Sequence, residues 1–123
     1  MLNFNSVLIG SGQPDALAAF YAKVFARGAD FSDSGYSGWQ VGGGFLTVGP
    51  HSEMQGSAKE PARILLNFET PQVKEEFARI KGVGAKVVKE PYQMDGMGPN
   101  DWIATFADPD GNYFQLMSPM SPG

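Results

Sequence analysis

One histidine, His51, stands beside Ser52 and Glu53, the residue types that share a proton in hydrolytic triads. Adjacent side chains diverge from the backbone, so groups that converge on one proton come from separated stretches of chain. His51 is therefore expected in an exposed loop, with contact at the rim of a ligand site as its functional alternative. The 123 residues include no cysteine, which removes thiolate nucleophiles, thiolate metal ligands and disulfides together. Gly10-Ser11-Gly12 begins like a dinucleotide fingerprint, but Asp15 holds the third glycine position, and its carboxylate would repel a pyrophosphate. Gly42-Gly43-Gly44 lacks the Lys-Ser/Thr pair of a phosphate loop.

A more specific pattern lies at Asp108-Pro109-Asp110-Gly111-Asn112. Pro109 presets φ, Asp110 and Asn112 can cap their own backbone, and Gly111 tolerates positive φ. The next residues alternate as a strand, with Tyr113, Gln115 and Met117 on one face and Phe114 and Leu116 on the other. Together they predict a tight hairpin turn feeding a closing strand. Gln115 presents from that strand an amide that can donate and accept.

The elements that would position these groups follow from periodicity. Leu2 to Gly10 alternates as a strand, Gly10-Ser11-Gly12 breaks it, and Pro14 suits the first turn of a helix. Leu17, Phe20, Tyr21, Val24 and Phe25 form one apolar stripe, and Gly28 is expected to end that helix. Gly38 to Val41 and Phe45 to Val48 flank a glycine turn and predict a hairpin. Arg63 to Thr70 predicts a strand, and Pro71 a second helix with Thr70 as its N-cap and Val73, Phe77 and Ile80 as its stripe. Gly82 and Gly84 stop it, and Ala85–Glu90, Trp102–Ala107 and Tyr113–Ser118 predict three more strands. A shift of 57 residues places Pro14 on Pro71, Phe20 on Phe77, Val7 on Ile64 and Ile9 on Leu66. A β-α-β-β-β unit used twice is implied. The first module is expected over residues 1–50, a linker over 51–61 and the second module over 62–120, together one domain. Val7, Ile9, Ile64 and Leu66 are expected to pack under the helices, with Ser6, Leu8, Arg63, Leu65 and Asn67 on the opposite faces.

A formal charge of -4 with only nine basic residues, scattered, argues against a nucleic-acid partner. The first residues carry neither a basic start nor a long apolar run, so no signal peptide, no membrane span and a cytoplasmic location are expected.

The Asp-Pro-Asp-Gly-Asn turn with its strand, the Phe20-Tyr21 pair in the first helix and the repeated strand-helix units resemble the vicinal-oxygen-chelate superfamily. That group includes glyoxalases, extradiol dioxygenases and bleomycin-resistance proteins. The resemblance implies an α+β fold in which two tandem βαβββ modules build a cup-shaped mixed or antiparallel sheet, and it implies a homodimer. In metal-dependent members a histidine, sometimes a glutamate or glutamine, on the first strand of each module and a glutamate on the final strand hold the metal. The matching positions here fall at about Ser6, Leu65 and Gln115. A hydroxyl, an aliphatic chain and a neutral amide cannot offset the desolvation of a divalent ion, which in the Born limit costs on the order of tens of kcal/mol. Glu69 is the one usual ligand type in the neighbouring windows. No cofactor is therefore expected, no metal ligand is assigned, and no catalytic residue is assigned.

Three functions stay open. The first is metal-independent binding or sequestration of a small hydrophobic or aromatic molecule, as the resemblance to metal-free bleomycin-resistance proteins implies. Ser6, Arg63 and Gln115 would supply its polar contacts, and Trp39, Tyr92 and Trp102 its stacking, with Met94 and Met97 in an apolar loop nearby. The second is a lyase, isomerase or dioxygenase whose unusual metal site uses Glu69 or His51. The third is a non-catalytic interaction module.

Overall fold

The computed structural model describes residues 1–119; residue 120, the expected end of the second module, lies outside them. Two compact units divide between Gly56 and Ser57. The first contains β1 (Val7–Ser11), α1 (Pro14–Phe25), β2 (Phe31–Asp33), β3 (Tyr36–Val41) and β4 (Gly44–Pro50). Its sheet runs β1-β4-β3-β2, with β1 parallel to β4 and the remaining pairs antiparallel. The second contains β5 (Leu66–Glu69), α2 (Val73–Gly82), β6 (Lys86–Tyr92), β7 (Ile103–Ala107) and β8 (Tyr113–Met117). Its order, β5-β8-β7-β6, repeats the same topology, with β5 parallel to β8. The chain is thus two tandem βαβββ modules.

In the first unit Pro14 opens α1, where its missing N–H costs nothing, and Leu17, Tyr21 and Val24 form the buried stripe. Asp15 in the first turn and Lys23 in the last complement the helix dipole. The helix lies over β1, β3 and β4, and Phe25 meets Trp39 edge-on at 5.6 Å. Gly28 does not end it: Ala26 takes the left-handed conformation at φ 58° and caps the last carbonyls. The polar stretch after the helix yields β2, a short strand the periodicity did not mark, joined to β3 through Ser34 and Gly35, both at positive φ. That is the backbone a two-residue hairpin turn requires.

In the second unit α2 starts two residues later than expected. Thr70 Oγ1 accepts the Gln72 N–H at 3.1 Å, so Thr70 shapes the entry and Gln72 is the N-cap. The stripe Val73, Phe77 and Ile80 is buried as expected, and Phe77 stacks on Phe106 at 5.1 Å. Phe106 stacks in turn on Phe114 at 5.5 Å, and Phe68 meets Phe114 edge-on. Each buried phenylalanine contributes about 1.5–3 kcal/mol, so this column anchors α2 to the sheet.

The burial pattern corrects the repeat by one residue in the helices. Leu17, Tyr21 and Val24 match Val73, Phe77 and Ile80, a shift of 56, while Phe20 is only half-buried. Strand ends move more. β1 begins at Val7, leaving Leu2 and Phe4 exposed, and β5 begins at Leu66. Ile64, expected under the helix, is 75% exposed because the chain there is still in a turn closed by the Arg63 N–H on Glu60 O.

Candidate functional site

The closing turn positions the last strand. Asp108, only 5% exposed, accepts the backbone N–H groups of Asp110 at 2.9 Å and Asn112 at 3.0 Å on one carboxylate oxygen. The Asn112 amide donates to both oxygens of the same carboxylate, and Gly111 sits at φ 83°. The carboxylate that caps these two backbone groups is therefore that of Asp108. This arrangement sends β8 back along β7 with Thr105 opposite Gln115.

α2 covers the sheet face that carries Phe106 and Phe114, so directly paired residues define the helix-free face. Asn67 pairs with Gln115, Gln115 with Thr105, and Thr105 with Lys89. These four polar residues form one row across four strands, about 14 Å long at normal strand spacing. Gln115 Nε2 donates to Thr105 Oγ1 at 3.3 Å within it. The adjacent row is Glu69, Met117, Ile103 and Tyr92, and the row on the other side holds Tyr113, Ala107 and Lys86. Beyond Tyr113 a shallow depression of about 560 Å³ is lined by Glu60, Pro61, Ala62, Arg63 and Tyr113.

β6 reaches this face irregularly. Its register shifts between Val87 and Lys89 and again between Lys89 and Tyr92. Lys86, Lys89 and Tyr92, three residues apart, all pair with helix-free positions of β7. Alternation alone would have put Lys89 on the opposite face from Lys86. Lys89 Nζ lies 4.0 Å from the centroid of the Tyr92 ring.

The six expected contact residues differ in their surroundings. Gln115 and Tyr92 share the helix-free face, and Arg63 lines the depression at its Tyr113 end, ion-paired to Glu60 with Nε 3.1 Å from Oε2. Trp39 is 1% exposed, with its indole N–H donated to Arg27 O at 3.2 Å, so both its ring and its donor are used in the core of the first unit. A stacking role for Trp39 does not fit that burial. Trp102 adjoins Ile103 and so carries the parity of Ala104 and Phe106; Lys74 of α2 lies over its ring at 3.8 Å, which engages that ring on the helix side. Ser6 is exposed one residue ahead of β1, near a depression of about 450 Å³ lined by Asn3, Phe4, Asn5, Gln40, Gly43 and Phe45. Met94 and Met97 sit in a turn closed on itself: Met97 N–H bonds Met94 O at 3.1 Å, and Met97 Sδ accepts the Met94 N–H at 3.1 Å. His51 Nδ1 accepts the Glu53 N–H at 3.2 Å, in a turn closed by Met54 N–H on His51 O. Lys89 and Thr105 were not among the expected residues; the parity of Gln115 pointed to Thr105, and nothing in the sequence pointed to Lys89.

The donor chemistry does not fit the metal that the fold implies. Ser6 is a lone hydroxyl, Leu65 has no donor, and Gln115 offers one neutral amide oxygen. Among the described residues no three His, Asp or Glu side chains stand together as a ligand set. Glu69 has two neutral neighbours on its face, Asn67 and Met117. One carboxylate beside amides leaves a divalent ion undercompensated.

Among solved structures, three similar ones share 17–23% identity with the chain. A glyoxalase-related enzyme from Fulvimarina pelagi has TM-score 0.77 and 18% identity, over 97% of this chain and 89% of that one. A glyoxalase/bleomycin resistance protein/dioxygenase family enzyme from Burkholderia phytofirmans PsJN has TM-score 0.73 and 23% identity, over 94% and 98%. Lactoylglutathione lyase from Agrobacterium tumefaciens has TM-score 0.71 and 17% identity, over 94% and 92%. At such identities they establish a common fold. No functionally curated protein matches the sequence. No helix among the described residues is long and apolar enough to cross a membrane. The family model for the glyoxalase-like domain matches residues 6–117, and the chain belongs to that family within the vicinal-oxygen-chelate superfamily.

Proposed function

We propose that the protein binds a small amphipathic or aromatic molecule on the helix-free face of the second sheet, without a metal, and acts by sequestration. The observation that carries this reading is the set of accessible polar side chains Asn67, Gln115 and Lys89 beside the part-exposed Met117 and Tyr92, with the buried Thr105 and Ile103 closing the sheet between them. Such a pairing suits a ligand with one polar edge and one apolar edge, because every buried polar atom of the ligand can find a donor or acceptor. Sequestration needs affinity alone, with no positioned acid or base. Arg63 and Tyr113 at the nearby depression extend the contact surface, and a homodimer remains part of the proposal.

The test is thermal denaturation against a panel of aromatic and amphipathic compounds, before and after exhaustive chelation. A binder present at about 100 times its Kd stabilises the protein by about 2.7 kcal/mol. That stabilisation is expected to survive chelation, to proceed without turnover and to weaken in Gln115→Leu. One equivalent of bound zinc, nickel, manganese or iron, lost together with ligand binding on chelation, overturns the proposal in favour of a metalloenzyme.

A further inference from the structure

Resting on the binding reading above, we infer that the β6 margin of the helix-free face is an anion subsite. Lys89, seconded by Lys86, takes the carboxylate or phosphate group of a ligand whose apolar body lies against Tyr92 and Met117.

The first support is the direction of the two lysines. In a regular strand Lys86 and Lys89 would face opposite sides, one of them toward the helix. Two successive register shifts in β6 instead pair Lys86 with Ala107, Lys89 with Thr105 and Tyr92 with Ile103, all on one face. Bulges commonly serve to re-aim a side chain in this way. Both lysines are exposed.

The second support is electrostatic. Among the described residues the ion pairs are Arg27–Asp30, Arg63–Glu60 and Arg79–Glu76, and neither lysine takes part in one. Lys89 instead rests over the Tyr92 ring at 4.0 Å. A π face attracts an ammonium without taking up its N–H bonds in a directed way, so donors are left for an oxygen anion.

The third support is the company Lys89 keeps. Its row continues through the buried Thr105 to Gln115 and Asn67, which offer amide groups, and it carries no negative charge. Glu69, the carboxylate of these rows, sits on β5 at the opposite margin, about 14 Å away across three strand spacings. The face is therefore polarised, and an acidic ligand group is directed to β6.

Calorimetric titration at low ionic strength separates the possibilities, using 3-phenylpropionate, phenyl phosphate and the uncharged 3-phenylpropanamide as probes. The expected result is that one or both anions bind about three- to tenfold tighter than the amide, as for a partly exposed ion pair. That preference should shrink with added salt, vanish in Lys89→Gln and persist in Lys89→Arg. The anion with the larger preference identifies the acid. Equal binding of anions and amide by the unaltered protein, or a preference that survives in Lys89→Gln, overturns the subsite and leaves the binding reading intact. No binding of any probe overturns both.

Discussion

Gln115 and Thr105 face each other across β8 and β7 and share a hydrogen bond, Nε2 to Oγ1, at 3.3 Å. Thr105 is 6% exposed, so its hydroxyl depends on this partner more than Gln115 depends on it. Thr105→Val keeps the shape and removes the acceptor. It is expected to cost about 0.5–1.5 kcal/mol in urea denaturation. The freed Gln115 amide should then loosen, visible as increased exchange broadening of its side-chain NH2 signals in NMR. Unchanged signals would mean that Thr105 does not orient Gln115.

Asp108 is a turn keystone rather than a reactive acid. It accepts two backbone N–H groups and the Asn112 amide while almost fully buried. Asp108→Ala strands those donors and is expected to cost about 2–4 kcal/mol, since hydrogen bonds to a charged acceptor exceed neutral ones. Asp108→Asn keeps one acceptor and should cost roughly half as much. Equal losses in the two variants, by urea denaturation, would contradict this account.

This turn was legible in the sequence because its determinants are local: an Asx acceptor, a proline and a glycine within five residues. The two helical stripes were legible for the same reason, through spacing alone. What escaped were features set by pairing. Lys89 lies beyond a bulge, and one extra residue reverses every later parity assignment in a strand. Trp39 and Trp102 looked alike as aromatic contacts, yet one fills the core and the other lies under Lys74, because face and depth follow from register. Ile64 was misplaced because alternation does not say where a strand starts, and a turn at Glu60–Arg63 delays β5.

Asp30 gives the acid limb of stability a specific contributor. The Arg27 guanidinium beside it, then the Gln40 N–H on Oδ2 at 2.6 Å, hold its carboxyl below the ordinary value, outweighing a small opposing effect of burial. A depressed folded value means that this contribution is fully present above the unfolded carboxyl value of about 3.9. It is lost as pH falls through the lower folded value. Asp30→Asn should therefore lower the urea midpoint at neutral pH and flatten its decline below about pH 4. Parallel curves for the two proteins would exclude the Arg27–Asp30–Gln40 link as a source of acid sensitivity.

Trp39 separates core from site. Trp39→Ala in this fully packed position should cost about 3–5 kcal/mol, while Trp39→Phe, losing the bond to Arg27 O, should cost about 1–2 kcal/mol. Ligand affinity per folded molecule should be unchanged in Trp39→Phe. A binding loss larger than the stability loss would return Trp39 to the ligand surface.

Gly49 is required by a ring rather than by its own backbone. Tyr36 lies across it on the helix-free face of the first sheet, and a Cβ on Gly49 would meet Tyr36 Cδ1 at 2.0 Å. The Tyr36 hydroxyl also donates to Pro50 O at 3.2 Å, which ties the ring in place. Gly49→Ala must therefore displace the ring and break that bond, at about 1–3 kcal/mol, the usual cost of overpacking. Tyr36→Ala removes the obstacle, so Gly49→Ala in that background should cost little. A double-mutant cycle is then expected to show strong coupling, because the two positions touch. Additive losses would instead place the demand for glycine in the strand backbone, where Gly49 pairs with Gly10.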